Sequence, residues 1–383
     1  MILRNAKIVL KDKIIENGWL EIENETIKSI NEGDTQQEGI DLKGQWLLPG
    51  FIECHVHGGY GVDFETGTVE AYQKFGKMIP KEGITSYIQA SVTNSKENNL
   101  KYLSAFKEFM KNQDENSAKC LGLHMEGPFI SPAKKGAHEL SLLEDPNIEV
   151  MKEFIELSDD NVRIITYAPD MQDGSFTKFL LDNNILPSAG HTNTSVQDFL
   201  KDYKIGVRHL THLFNGMSGV SQQEPGLATA GLYFDDILCE VISDSIHIQP
   251  DTLRLIYKIK GPQGIVIITD AMNAKGEPDG NYKLGNLDVI KEGMKVSLKE
   301  GGALAGAGAT YDHNVRVMLK EIPNLKMNEL IYMTSINIAK QLNIFDSTGE
   351  ISVGKKADLT VLDDKYEVNK TFINGKVAYE KSN

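Results

Sequence analysis

The chain has 383 residues, of which 40% are hydrophobic and 25% charged, with a formal net charge of −14. That length accommodates one large domain plus a smaller one, and the acidic balance argues against nucleic acid or anionic membranes as general partners. No apolar run reaches the roughly 18 residues of a membrane span. Residues 1–7 lack the apolar stretch of a secretory leader, so a cytoplasmic location is expected. Cys54, Cys120 and Cys239 show no Cys-x-x-Cys spacing and read as buried thiols of a reducing compartment.

Taken in order, residues 1 to about 46 read as short alternating strands over 6–10, 19–22 and 26–30, separated by polar turns. The same texture returns at 358–362 and 370–377, so both ends are expected to pair into one small β-sandwich domain, residues 1–46 with 346–383. Between them, residues 47–345 alternate strand-like and helix-like segments. Eight apolar runs end near His57, Gln89, Glu126, Tyr167, His191, His212, Asp244 and Asp270. Helical patterns lie between several of them, at 98–111, 148–158, 195–201 and 250–259. Eight such units predict an α/β (β/α)₈ barrel of the TIM type, with its chemistry at the C-terminal ends of the strands. After Asp270 come a turn-rich excursion, a hairpin through Ser297 and the glycine-rich 301–308. That last segment lacks the Gly-Lys-Ser/Thr of a P-loop and reads as a flexible loop at the barrel mouth. Helices over 311–321 and 327–342 are expected to close the barrel.

The chemistry-bearing residues gather at those strand ends. In residues 47–59 (LLPGFIECHVHGG), His55 and His57 are two apart, so a strand points both imidazoles to one side. The glycines that follow let the backbone turn away. Two such imidazoles are half of a metal site. Glu126 ends the third run and can give oxygen to one ion or bridge two. His124, two residues earlier, lies deeper and reads as an interior histidine. His191 and His212 end the fifth and sixth runs; His209 faces the other way from His212 and is taken as structural. Asp270 ends the eighth run, where an unpaired buried carboxylate would be costly.

The motifs around these residues carry a resemblance. Residues 49–58 (PGFIECHVHG) are similar to the first barrel strand of the amidohydrolase superfamily. With HMEGPF (124–129), KKGAH (134–138), AGHTN (189–193), THLFNGM (211–217), EPGL (224–227) and TDA (269–271), the chain resembles the N-acetylglucosamine-6-phosphate deacetylase family over essentially its whole length. The resemblance implies metal-dependent release of acetate from an N-acetylated sugar phosphate. It assigns the main metal site to Glu126, His191 and His212, and retention of His55 and His57 implies room for a second ion. Zinc, iron, manganese and cobalt all suit such donors. By the same resemblance Asp270 is the acid–base group and His138 contacts the acetyl carbonyl. Ala137, Asn215, Gly216, His247, Leu304, Ala305 and Gly306 contact the sugar phosphate. At Gln223 the family usually carries an arginine that grips the phosphate, in dimers across the subunit boundary, so weaker phosphate preference is expected here. A homodimer is expected too. Rival readings are a deacetylase for N-acetylgalactosamine 6-phosphate or for an unphosphorylated N-acetyl sugar, and a barrel that has lost catalysis and serves as a scaffold.

Overall fold

A computed structural model describes residues 1–382. The two ends of the chain form one seven-stranded mixed sheet in the order 376–380, 368–373, 359–362, 40–49, 2–9, 14–23 and 26–32. Ile40–Pro49 holds it together, pairing parallel to Ile2–Val9 and antiparallel to Leu359–Leu362. Leu47 lies opposite both Ile8 and Val361, and all three belong to the sheet's own core with Leu3, Leu20 and Phe372.

Two local expectations change here. The apolar run from Leu47 is split between two sheets. Its first residues finish Ile40–Pro49 in the terminal sheet, and the first barrel strand starts at Phe51. The break falls at Gly50, whose N–H bonds to the Asp358 carbonyl at 2.8 Å. A Cβ there would sit 2.2–2.7 Å from the Thr85 side chain, so only glycine lets the two sheets meet this closely. The segment 370–377 is a hairpin and not one strand: Val368–Ile373 and Lys376–Glu380 pair across Asn374 and Gly375, both with positive φ.

The eight apolar runs form one parallel sheet in strict chain order: Phe51–Val56, Ile84–Ser91, Lys119–Glu126, Val162–Tyr167, Leu186–Ala189, His209–Leu210, Leu238–Ile242 and Ile265–Ile268. Asp270 N–H donates to the His55 carbonyl at 3.0 Å and His57 N–H to that of Ala271 at 2.8 Å. These bonds bring the last strand back to the first and close the barrel. The helices start where the sequence marks them: Ser95, Asn147 and Ser195 cap Lys96–Lys111, Ile148–Leu157 and Val196–Ile205 through their side-chain oxygens, and Pro250 opens Pro250–Lys260.

The excursion after Asp270 is a four-stranded antiparallel sheet, Gly280–Leu284, Leu287–Glu292, Lys295–Leu298 and Leu304–Ala307. The glycine-rich segment expected to be a flexible loop therefore supplies its last strand. Small residues have poor strand propensity, but pairing overrides it. Ser297 faces Leu304 in register, and Ala307 exchanges backbone hydrogen bonds with the chain around Asp270 and Met272 at 2.8 and 3.0 Å. The second closing helix is continuous over 327–341 but includes a π turn at Tyr332–Ile336. Among the described residues no helix is long and apolar enough to cross a membrane.

The contact at Gly50 is testable. Gly50→Ala forces a methyl into the β-branched Thr85 side chain, and overpacking of this kind costs about 1–3 kcal/mol. The thermal midpoint is expected to fall; an unchanged midpoint would mean the two sheets are not held at this spacing.

Candidate metal centre

Five imidazoles converge on one carboxylate. Glu126, at the end of the third barrel strand, has Oε1 at 2.9 Å from His212 Nε2, 3.2 Å from His191 Nε2 and 3.7 Å from His55 Nε2. Its Oε2 lies 3.4 Å from His57 Nε2 and 3.5 Å from His138 Nε2. Asp270 joins from the eighth strand, with Oδ1 3.0 Å from His57 Nε2 and 3.6 Å from His55 Nε2. All but Asp270 are buried, and Asp270 is 13% exposed at its side chain.

Local backbone shape delivers these groups. His191, His212 and Asp270 have φ of 46°, 25° and 53°, in the left-handed region that ordinary residues avoid. Each stands where the chain leaves its strand, and such conformations persist only where the surroundings enforce them. Two glycines clamp the His191 ring. A Cβ on Gly136 would lie 2.9 Å from His191 Cε1, and one on Gly216 2.8 Å from Cε1 and Nδ1; both glycines also have positive φ.

Hydrogen bonds decide which nitrogen of each ring faces the cluster. His191 Nδ1–H donates to the Lys134 carbonyl at 2.8 Å, and His55 Nδ1–H to Glu240 Oε2 at 2.9 Å. Both rings therefore turn an Nε2 lone pair inward. His138 is the opposite case. The Thr93 backbone N–H donates to its Nδ1 at 3.3 Å, with the Thr93 hydroxyl 2.9 Å away, so the proton sits on Nε2 and points at the cluster. Burial drives the His138 imidazole down to about 4, so it is neutral at pH 7. Asp244 orients His247 in turn, accepting from its Nδ1 at 2.7 Å.

The donor set fits a divalent ion. The His191 and His212 Nε2 atoms are 3.1 Å apart, and those of His55 and His57 3.3 Å. Lone pairs facing each other at that range need a cation or proton between them. Two nitrogens bound to one tetrahedral ion at about 2.0–2.1 Å are separated by roughly 3.3 Å, which matches. Of four buried donor triads in the barrel, two share Glu126: Glu126–His191–His212 and His55–His57–Glu126. The electrostatics agree. Burial alone would raise the Glu126 carboxyl, but His55 and its hydrogen-bonded imidazoles hold it well below the usual range. Burial opposes charge on His57 as well, yet its bonds to Asp270 and Glu126 pull it up to about 9. The cluster is a pre-built seat for positive charge.

Above it opens a cavity of about 320 Å³, lined by His57, His138, His191, His212, His247 and Asp270 together with Ala137, Asn215, Gly216, Leu304 and Gly306. Ala305 and Gln223 are not part of that lining. Strand alternation turns the Ala305 side chain the other way, into a small apolar cluster with Met272 and Val296. Gln223 is exposed on the loop between Met217 and Leu227. His124 and His209 are interior. His124 donates to the Cys54 carbonyl and receives the Thr166 hydroxyl at 2.7 Å, and His209 meets Glu240 at 3.0 Å. The sequence reading missed Val92, Phe214, Leu284 and Ala303 in the cavity wall, and Thr93 and Glu240, which hydrogen-bond the rings of His138 and His55. Only Glu240 had left a signal, as an acid inside an apolar strand. A larger cavity of about 800 Å³ lies at the N-terminal ends of the strands, lined by Lys119, Arg163 and Leu186 among others; it contains none of this cluster.

An eight-stranded parallel barrel with an imidazole–carboxylate cluster at the strand C-termini defines a class of barrel proteins built around a divalent-metal seat. A family model described as the amidohydrolase family matches residues 46–378. The chain belongs to that family. It is 32% identical to the N-acetylglucosamine-6-phosphate deacetylase of Bacillus subtilis (strain 168), covering 99% of this chain and 97% of that protein. It is 29% identical to the N-acetylgalactosamine-6-phosphate deacetylase of Escherichia coli O157:H7, covering 98% and 99%. Among solved structures, the N-acetylglucosamine-6-phosphate deacetylase of Thermotoga maritima superposes with a TM-score of 0.90 at 30% identity over all of both chains. A mutant of the Mycobacterium smegmatis enzyme in complex with N-acetyl-D-glucosamine-6-phosphate gives 0.92 at 27% identity, covering 99% of each.

The clamp on His191 makes a prediction. Gly216→Ala displaces the ring, and loss of such support costs about 10–100-fold in metal affinity. Titration of the chelated protein with Zn²⁺ against a chromophoric competitor is expected to show this; unchanged affinity would remove His191 from the metal seat.

Proposed function

We propose that the protein hydrolyses the acetamide of N-acetyl-D-glucosamine 6-phosphate to acetate and glucosamine 6-phosphate. The observation that carries this reading is the pairing, at the floor of one cavity, of an ionised acid and a neutral N–H donor. Glu126, His191 and His212 would hold one divalent ion and His55 and His57 a second. Bound there, such an ion makes water nucleophilic near neutral pH and polarises a carbonyl.

The remaining chemistry belongs to side chains. Burial opposes ionisation of Asp270, but His57 and His55 outweigh it and keep its carboxyl below the usual value. It is therefore a carboxylate at pH 7, ready to take a proton from water on Oδ1 and return it to the departing amine nitrogen. His138, neutral and protonated on Nε2, donates to the carbonyl oxygen as negative charge develops there. Ala137, Leu304 and Gly306 bound the space for the sugar, and the cavity volume suits a monosaccharide. His247, with Asn215 and Gly216, is assigned to the phosphate end.

No lysine or arginine is among the residues lining this cavity, and Gln223 stands where the resemblance places an arginine. A charge-assisted bond contributes about 1.5–3 kcal/mol, so preference for the 6-phosphate is weaker here than in arginine-bearing relatives by roughly 10–100-fold. The Escherichia coli relative supports a second reading, the galacto epimer of the same substrate.

A turnover panel of N-acetylglucosamine and N-acetylgalactosamine, each with and without the 6-phosphate, separates these readings. Acetate release from the gluco 6-phosphate is expected to be fastest; no release from any member would defeat the proposal. Asp270→Asn keeps the shape but cannot carry a proton, and kcat is expected to fall roughly 10²–10⁴-fold. A loss under about tenfold would take Asp270 out of the acid–base role. Gln223→Arg is expected to lower KM for the phosphorylated sugar; if wild type already favours it by about 10⁴ in kcat/KM and the substitution adds nothing, another cation does that work.

A further inference from the structure

Behind the metal seat lies a carboxylate that none of these steps uses. Glu240 is the one charged residue of the seventh barrel strand, Leu238–Ile242, and it is fully buried. Its two oxygens serve different partners. Oε2 accepts from His55 Nδ1 at 2.9 Å and from the His212 backbone N–H at 3.1 Å. Oε1 faces His209 Nε2 at 3.0 Å and the Cys54 thiol at 3.9 Å. The His209 ring continues to Gln341 Oε1 at 2.6 Å, and the Gln341 amide donates to the Arg208 carbonyl at 2.8 Å. Gln341, at the C-terminal end of Asn337–Gln341, then His209 and Glu240 thus line up behind His55.

We propose that Glu240 is the positioning residue of the His55 side of the metal centre. It fixes the His55 proton on Nδ1, leaving the Nε2 lone pair to face His57, Glu126 and Asp270. The inference rests on the reading of His55 and His57 as ligands.

A neighbour shows why satisfying hydrogen bonds does not explain Glu240. His124 occupies the same barrel interior, its ring 4.4 Å from that of His55, and is fully satisfied by a carbonyl and a hydroxyl. Neutral hydrogen-bond partners are therefore enough to bury an imidazole here. A carboxylate adds charge, which makes the His55 ring a more basic ligand and balances positive charge arriving at Nε2.

The test uses the full-length protein, stripped with chelator and titrated with Zn²⁺ against a chromophoric competitor, in wild type, E240Q, H55A and H55A/E240Q. Melting of the metal-free proteins controls for folding. E240Q is expected to weaken one ion by about 10–100-fold. In the H55A background the same change is expected to add less than about twofold, because the effect travels through His55. An equal loss with and without His55, or no loss in the wild-type background, overturns the proposal. Should E240Q not fold, E240D is compared in the same two backgrounds, with the same outcomes deciding. The wild-type ion count separates the two ideas. Uptake of one ion only defeats the two-ion reading, while two ions and an E240Q without effect defeats the role of Glu240 alone.

Discussion

The barrel mouth is built around the Glu126 carboxylate and the five imidazoles that approach it within 3.7 Å. Burying an anion is expensive unless positive charge or N–H donors surround it. Burying several imidazoles with their lone pairs converging is expensive for the mirror reason. Each arrangement is costly alone, and a divalent ion between them would offset both costs. Seven of the nine histidines of the chain are buried in or just beneath this region, so the fold has invested its titratable side chains in one place.

Holding that cluster requires rigidity from several directions at once. The strand ends at His191, His212 and Asp270 are kept in left-handed conformations, glycines press on the His191 ring, and Thr93, Lys134 and Glu240 set the proton positions of His138, His191 and His55. The small antiparallel sheet after Asp270 belongs to the same scaffold. Its last strand hydrogen-bonds to the backbone on either side of Ala271 while Leu304 and Gly306 face the cavity. One element thereby sets both the acid's position and the wall of the space above it. The terminal sheet contributes less directly: it anchors the first barrel strand through Gly50 and Asp358, a few residues before His55.

Different surroundings split chemically identical side chains into separate roles. His138 and His124 are driven down to about 4 and 3, in both cases first by burial, and stay neutral. His57 is lifted to about 9 by the carboxylates beside it. An N–H donor, a structural ring and a ring that holds positive charge thus coexist within one barrel, and burial and the neighbouring acids decide which is which.

Much of this was written locally in the sequence. Alternation of apolar runs with capped helical patterns specifies eight strand–helix units, because periodicity and capping act over a few residues. The strand-end placement of His57, Glu126, His191, His212 and Asp270 follows from the same periodicity, as does the pairing of the two termini in one sheet. What the sequence left undecided depends on residues distant in the chain. The division of 47–56 between two sheets turns on Thr85 and Asp358. The strand at Leu304–Ala307 exists because Lys295–Leu298 and the Asp270 backbone pair with it, against its own weak propensity. Ala305 faces away because that strand's register is fixed from outside. The proton on His138 is set by Thr93, 45 residues earlier, and that on His55 by Glu240, 185 residues later. Hydrogen-bond partners of that separation leave no periodic trace, and only the closed barrel brings them within 3 Å or so of one another.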